Sequence, residues 1–389
     1  IFIREVNIFN LAEKTRKIKI FFYKRFEIYE SKRGDTAFYD PEDNTIIHYK
    51  GRRNFLINAV SDIDGFDDFV IGNYNIEGKE GSFKDAEDGY LSKNPIEHGL
   101  VDSCVGFSGN IPGNTGQKVY YWVACGKSLT EVKDLNGYVL KKTPTHLIRT
   151  TEDFWRAWLH KSPLDFKNLS EDVVKLFKKS LLIIRTHVDN KGGILASGDT
   201  DLLRYGKDYY SYIWTRDAAV VTVALDLLSN TNLTKAFFDF CNEVITDEGY
   251  FMHKYLTDRS LGSSWHPWIR DGKPELPIQE DETALVIIAL KNHFEISKDL
   301  EFIETIYNSL IKKATDFLIA YRDKETLLPK PSYDLWEEKF GVHTFTCASV
   351  FGALVAAGEF ADLLGKDADA KHYREVALEI RDAILKYLY

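Results

Sequence analysis

The sequence predicts an α+β chain of two domains: an antiparallel β-sandwich over residues 1–143, a linker over 144–169, and the first part of a barrel of helical hairpins over 170–389. Three observations predict it. Up to about Lys142, short apolar runs at two-residue spacing alternate with Gly, Asp and Asn turns, and no helix longer than two turns is evident. From Ser170 onward the apolar spacing becomes about one helical turn. Within that second half, a charged loop feeding an apolar helix recurs at Trp214, Glu280 and Thr344, separations of 66 and 64 residues.

From Lys17, the run Lys-Ile-Lys-Ile-Phe-Phe-Tyr-Lys-Arg-Phe-Glu-Ile sets Ile18, Ile20, Phe22, Phe26 and Ile28 at strand spacing, with one step missed at Lys24. Gly34-Asp35 and Asp40-Pro41-Glu42-Asp43-Asn44 are turn clusters, and a second strand is expected over 45–50, closed by Gly51. Further strands are expected over 55–60, 69–71 and 119–123. Short strands joined by such turns pack as two antiparallel sheets.

In the linker, 154–159 is expected as a short amphipathic helix and 161–165 as a break, before Ser170 as an N-cap with Glu171 and Asp172 in the first turn. Trp155 and Trp158 share a helix face, which suits pinning the linker to a neighbour or stacking on a sugar. Three helices, over 218–225, 284–290 and 349–357, are apolar or small nearly all round, which means burial on every side. Amphipathic helices over 235–245, 300–321 and 367–387 alternate with them. Inner and outer helices in alternation describe a barrel whose inner helices start at one rim, so the three charged loops would converge there. Three inner and four outer helices leave such a barrel incomplete.

The 389 residues, 44% hydrophobic and 28% charged, suffice for two ordinary cores. A net charge of −9, with Lys and Arg dispersed among acids, argues against nucleic acid as a partner, which calls for a basic stripe. Cys104, Cys125, Cys241 and Cys347 form no Cys-x-x-Cys pair, so neither a zinc knuckle nor a disulfide framework is indicated and a reducing, cytoplasmic location is expected. No apolar run reaches about 18 residues, so no membrane partner is expected. The chain opens at Ile1 without a Met and closes still in helical rhythm, and both ends are expected to be cut.

Candidate chemistry concentrates in residues 331–345, which pack Asp334, Glu337 and Glu338 around Trp336. A carboxyl on an indole face loses hydration, and desolvation penalises its charged form. One of Glu337 and Glu338 is therefore expected to stay protonated near neutral pH, as a general acid for glycosidic cleavage must. The same residues also read as a Trp anchoring a helix end beside two solvated glutamates. Arg216 beside Asp217 offers a fork for adjacent sugar hydroxyls and Trp214 a flat face for a pyranose, or else the pair caps a helix. Trp265 and Trp268 would form outer sugar subsites or plug the barrel mouth. Glu280, Asp281 and Glu282, with no histidine or second acidic cluster at ligand spacing, read as a helix N-terminus dressed with acids; no metal and no other cofactor is expected. His266 and His343 read as lone structural histidines, and Cys347 lacks a base.

Three motifs in order, Tyr210-Ser-Tyr212-Ile-Trp214-Thr-Arg216-Asp217, Leu276-Pro-Ile-Gln279-Glu-Asp281-Glu-Thr283-Ala and Tyr333-Asp334-Leu335-Trp336-Glu337-Glu338, resemble glycoside hydrolase family 15, which contains glucoamylases, glucodextranases and some microbial trehalases. Gly34-Asp35-Thr36-Ala37-Phe38-Tyr39, Ile47-His48-Tyr49-Lys50 and Thr151-Glu152-Asp153-Phe154-Trp155 are similar to the sandwich and linker of its prokaryotic members. The resemblance implies a β-sandwich joined to an (α/α)6 barrel that releases β-glucose, with inversion, from the non-reducing ends of α-glucan oligosaccharides or a starch-like polymer. By motif position, Glu337 would be the general acid. Glu338, Arg216 and Asp217 would bind the departing glucose, Leu335 would touch it through its carbonyl, Trp336 would wall the pocket, and Tyr210 would stand near the attacking water. Tyr209 departs from an Asp frequent in bacterial members. The family's general base lies on a late barrel loop beyond this sequence, so no base is named. Trehalose hydrolysis, a disaccharide phosphorylase and a non-catalytic glucan-binding fragment are the alternatives.

Overall fold

The computed structural model describes residues 1–31, 33–61, 65–161, 164–198 and 208–389. They divide into two compact units, Ile1–Trp158 and Leu159–Tyr389. In the first, nine strands follow one another: β1 (Phe2–Phe9), β2 (Arg16–Arg25), β3 (Asp35–Asp40), β4 (Thr45–Lys50), β5 (Arg53–Ser61), β6 (Asp68–Asn73), β7 (Ile96–Gly99), β8 (Val101–Ile111) and β9 (Gly116–Gly126). They form two antiparallel sheets, in the orders β1-β9-β5-β4-β3-β7 and β2-β8-β6. Alternation along the strands puts Ile46, Ile57, Val119 and Tyr121 of the larger sheet into one core with Ile71, Val105 and Phe107 of the smaller.

Each strand expected from the sequence is present, although β2 stops at Arg25, and Ile28–Glu30 form a 3-10 turn instead. β1, β3, β7 and β8 were not expected. β8 hides because its polar residues are buried with the apolar ones: Asp102 accepts from Tyr23 Oη at 2.9 Å, and Ser103 Oγ lies 2.8 Å from His48 Nε2. Hydrogen bonding lets such groups into a core and erases the polar–apolar alternation.

Two helices correct the sandwich and linker boundaries: α1 (Leu129–Lys142), inside the expected sandwich, and α2 (Pro144–Leu159), where a short helix was expected. Asn136 and Gly137 in mid-helix weaken the helical signal of α1, while Pro144 at the first position of α2 is a favourable start. Val132 and Leu135 of α1 pack with Ile47, Leu56 and Ala124, so the larger sheet is covered on its second face too. Asn136 Oδ1 accepts from Trp122 Nε1 and Asn58 Nδ2, both at 3.0 Å. Of the expected break at 161–165, Ser162 and Pro163 lie outside the described residues.

The second unit contains α3 (Glu171–His187), α4 (Thr215–Leu227), α5 (Thr231–Val244), the hairpin β10 (Ile269–Arg270) and β11 (Lys273–Pro274), and α6 (Glu280–Ser297). Then come α7 (Leu300–Ile306), which runs through a π-helical turn at Tyr307–Lys312 into α8 (Lys313–Ala320), the hairpin β12 (Ser332–Tyr333) and β13 (Phe340–Gly341), α9 (Thr344–Leu363) and α10 (Asp367–Tyr387). Helix α4 packs on α6 and α6 on α9, while α5, α8 and α10 pack against that row. The repeat therefore gave the inner helices, although they begin at Thr215, Glu280 and Thr344, three to five residues ahead of the expected 218, 284 and 349. Burial on every side does not hold for α4, where Val220 and Leu227, seven residues apart on one face, are 60% and 72% exposed. Helix α9, with 20 residues and a mean hydropathy of 1.4, is long and apolar enough to cross a membrane, which corrects the reading that no run reaches that length. Its window is 61% buried, and it packs against α6, α8 and α10 as a core helix.

Asn136→Leu leaves an indole N–H and an amide of the buried sheet face without their acceptor. Unit 1 is expected to lose roughly 1–3 kcal/mol of stability, read from denaturant unfolding; an unchanged midpoint would show that the helix–sheet contact is apolar only.

Candidate active site

The three charged loops meet at the N-terminal ends of α4, α6 and α9, where they are joined by Arg216, a residue of the first turn of α4 that is 5% exposed. Nη1 donates to Gln279 Oε1 at 2.9 Å and stands 3.4 Å from both Asp281 Oδ1 and Glu282 Oε1. Nη2 stands 3.4 Å from Asp217 Oδ2 and 3.7 Å from Glu337 Oε1. Burial works against the guanidinium charge, and the surrounding carboxylates, led by Glu282 and Asp281, more than offset it.

The acids of α6 are not a solvated helix end. Glu280, Asp281 and Glu282 are all buried. Glu282 Oε2 accepts from Thr215 Oγ1 at 2.7 Å and Arg216 N at 3.1 Å, and Asp281 Oδ2 from Thr346 Oγ1 at 3.4 Å, so these side chains cross-link α6 to α4 and α9. Burial pushes Glu280 and Glu282 each up to about 8 and raises Asp281, because a carboxylate out of water is penalised; Asp281 and Glu282 share the Arg216 guanidinium, which only partly offsets it.

Gln279, the fully buried N-cap of α6, carries the network onward. Its amide donates to Asp334 O at 2.7 Å and Tyr333 O at 3.4 Å, fixing the β12–β13 hairpin whose loop holds the Trp-Glu-Glu motif. In that loop Glu337 N donates to Asp334 O at 2.8 Å, and Asp334 Oδ1 accepts from Glu338 N at 2.9 Å and Lys339 N at 3.2 Å. Glu337 is held at φ 61°, a left-handed conformation that costs a non-glycine residue about 1 kcal/mol or more. The turn leaves the Glu337 side chain 12% accessible and Trp336 80% exposed.

Two side chains approach the Glu337 carboxylate: Trp214 Nε1 donates to Oε1 at 3.2 Å, and His253 Nε2 stands 3.1 Å from Oε2 as an ion-pair contact. Burial alone would raise its pKa, but the His253 hydrogen bond and the charges of His253, His266 and Arg216 bring it below the usual range. This overturns the expectation of a carboxyl kept protonated by an indole face. What surrounds it is a set of donors, and Trp336 is largely in solvent.

Of the expected site residues, Tyr210, Trp214, Arg216, Asp217, Trp265, Leu335, Trp336 and Glu337 line one cavity of about 390 Å³ together with His266 and Tyr333, a size usual for small-ligand sites. Trp214 is only 4% exposed, with Tyr210 stacked at 5.9 Å and Trp265 tilted at 5.7 Å, so it contributes an N–H rather than an open face. The accessible aromatic surface belongs to Tyr210, Trp265 and Trp336. Glu338 is exposed and lies outside the lining. Trp268 lines a separate cavity of about 1050 Å³ with Arg270, Tyr321, Lys330 and Phe340, so the two tryptophans of the 265–268 loop serve different spaces.

Residues the sequence did not single out complete the site. Lys254 is fully buried at the side chain, with Nζ 3.2 Å from Asp208 Oδ2 and 3.5 Å from the centre of the Trp265 ring. Asp208 also accepts from Trp265 Nε1 at 2.7 Å and from Ser263 Oγ; burial opposes its charge, but these bonds hold its pKa well below the carboxylate range. His266 is not a lone histidine: its ring lies 4.1 Å from that of His253 and stacks on Tyr333 at 4.5 Å. Ligand-capable atoms of His253, His266 and Glu337 lie within 4.8 Å of one another, the one grouping among the described residues with the donor set of a metal site. No periodicity marks His253, Lys254 or Asp208, which sit in irregular chain between helices.

The sequence profile of Glycosyl hydrolases family 15 matches residues 180–388. An uncharacterized glycosyl hydrolase of Methanocaldococcus jannaschii is 23% identical over 401 residues, covering 100% of this chain and 60% of the relative. Glucoamylase 1 of Rhizopus oryzae is 24% identical over 193 residues, covering 47% of this chain and 30% of its own length. Among solved structures, a bacterial glucoamylase complexed with acarbose matches with a TM-score of 0.70 and 18% identity over 94% of this chain and 50% of that one. That likeness bears out the fold class, an antiparallel sandwich followed by a glucoamylase-type helical barrel domain. The chain spans 60% or less of the length of each of these relatives.

Glu280 gives the acid cluster a stability signature. Its folded pKa of about 8 stands above its unfolded value of 4.5, so the folded state keeps the proton between them. Its stabilising contribution is full below the lower value and is lost as pH rises through the upper. Glu280→Gln keeps the shape without the charge and is expected to melt several degrees above the parent at about pH 8 and level with it at about pH 4.5. Scanning calorimetry at both pH values checks this, and a gap independent of pH would contradict it.

Proposed function

Because this chain belongs to glycosyl hydrolase family 15, we propose that it carries the acid and glucose-binding half of an inverting, exo-acting glucosidase that releases β-glucose from the non-reducing ends of α-glucans. One observation carries the reading. A single carboxyl, Glu337, is held by the Trp214 N–H and a His253 ion-pair contact at a cavity that also contains the Arg216–Asp217 pair and three accessible aromatic rings.

In this reading Asp217, half exposed beside the Arg216 fork, offers an acceptor next to a donor, the pairing that two vicinal sugar hydroxyls satisfy. Tyr210, Trp265 and Trp336 give apolar walls for the ring faces. Glu337 delivers its proton to the glycosidic oxygen as the bond from that oxygen to C1 breaks. Water attacks C1 from the opposite face, a second carboxylate takes the water's proton, and the α-linkage yields a β-anomer. That second carboxylate is assigned to no residue of this chain. Since Glu337 must be protonated to act and its pKa is held low, kcat/KM should fall as pH rises, placing the optimum on the acid side of neutrality.

The test follows the anomeric protons of released glucose by NMR, in a protein carrying this sequence, with maltotriose and separately with trehalose. β-Glucose first from maltotriose is expected. Early α-glucose would overturn inversion, turnover of trehalose alone would replace the substrate, and glucose 1-phosphate formed only with phosphate would replace hydrolysis by phosphorolysis. Glu337→Gln is expected to lower kcat/KM on maltotriose by about 10²–10⁴-fold. The loss should be smaller on α-glucosyl fluoride, whose leaving group needs no proton; full activity on maltotriose would remove Glu337 from the role.

A further inference from the structure

Resting on the glucosidase reading above, the geometry points to His253 as the residue that positions the acid Glu337, through a ring tautomer fixed by the chain's own backbone. His253 is 1% exposed. The backbone N–H of Trp265 points at its Nδ1 across 3.3 Å. A backbone N–H can only donate, so Nδ1 must be the unprotonated nitrogen, and the ring proton sits on Nε2. Nε2 stands 3.1 Å from Glu337 Oε2. The indole N–H of Trp214 lies 3.2 Å from both His253 Nε2 and Glu337 Oε1. With the ring proton on Nε2, that N–H is left for Oε1. Each carboxylate oxygen thus has one nitrogen donor within 3.2 Å and a second lone pair free for a proton.

The groups facing Glu337 from every side are His253 and His266 of the loop after α5, Arg216 of α4, Lys254 behind the Trp214 ring, and Asp334 of its own turn. Burial pushes His266 down to about 4, so its charge acts on Glu337 only in acid, and Arg216 stands farther from the carboxylate than His253 does. Hydrogen bonds to the charged form of a carboxylate favour that form, and of the two donors only His253 can be replaced without taking away an aromatic ring that lines the cavity.

The same atoms have the composition of a His-His-Glu metal site, and the tautomer decides between the readings. Metal on Nε2 would require the proton on Nδ1, head to head with the Trp265 N–H. Ligating histidines instead turn their second N–H toward an oxygen acceptor.

Two measurements on this chain test the assignment without requiring turnover. Long-range ¹H–¹⁵N correlation of histidine-labelled protein, with His253 identified by the signal missing in His253→Phe, is expected to show the Nε2–H tautomer at about pH 8. A ¹³C titration of Glu337 is expected to move up by about one pH unit in His253→Phe and to stay near the parent in His253→Gln, whose amide N–H reaches the Nε2 position. In a protein carrying this sequence, the descending limb of kcat/KM on maltotriose should move up with it, with kcat lowered more than KM. An Nδ1–H tautomer, a Glu337 titration unmoved in His253→Phe, or equimolar Zn²⁺ shifting the ring nitrogens of both His253 and His266 in the parent would each overturn the proposal. If both NMR results come out as expected while maltotriose stays intact, the His253–Glu337 arrangement stands and the glucosidase reading falls.

Discussion

A guanidinium buried where three helices begin is the constraint from which the rest of the second unit follows. Helix N-termini carry a partial positive charge, so a buried Arg216 at that rim is doubly unfavourable unless acids surround it. Asp281 and Glu282 supply them from α6, Asp217 from the next position of α4, and Glu337 from the β12–β13 loop. That is more negative charge than one guanidinium and three helix ends neutralise, and the raised pKa values of Glu280, Asp281 and Glu282 show where the surplus goes. The balance also explains why Lys would not replace Arg216. Only a planar fork addresses Gln279 and Asp281 with one nitrogen and Asp217 and Glu337 with another.

The catalytic candidates sit on loops, and what makes those loops rigid is hydrogen bonding to the helical row. Gln279 binds Arg216 through its carbonyl and the β12–β13 hairpin through its amide, so one side chain sets the distance between the Arg216–Asp217 pair and Glu337. Asp334 then closes the turn that forces Glu337 into left-handed backbone. A strained residue persists only where its surroundings over-determine it, and here the backbone bonds of the turn and the two donors on the carboxylate do so. Asp208 and Lys254 perform the equivalent service for Trp265, one through its ring N–H and the other over its face.

How far the sequence disclosed this depended on whether a residue's partners were near it in the chain. The bounds of α10 and the presence and order of α4, α6 and α9 follow from periodicity, and the convergence of the three motif loops follows from that order. β8 and α1 escaped because burial of Asp102, Ser103 and Asn136 depends on partners from other strands, which no local window contains. Three acids opening α6 look the same in sequence whether water or Arg216 faces them. The protonation state expected for Glu337 failed for the same reason: it was inferred from neighbouring Trp336, whereas the groups that decide it, His253, Trp214 and Arg216, arrive from elsewhere in the fold.

A general acid held in its charged form looks misassigned until the substrate is considered. Filling the 390 Å³ cavity with a neutral sugar removes water from around Glu337, and desolvation is already the largest of the influences on its pKa, opposed only by donors. Sugar hydroxyls that engage Asp217 and the outer edge of Arg216 bring no compensating positive charge. Binding therefore adds to the influence that raises the pKa and leaves those that lower it in place, so proton uptake accompanies occupancy. On the proposed glucosidase reading, an acid tuned low in the empty cavity and higher in the filled one would hold its proton when a glycosidic oxygen is there to receive it.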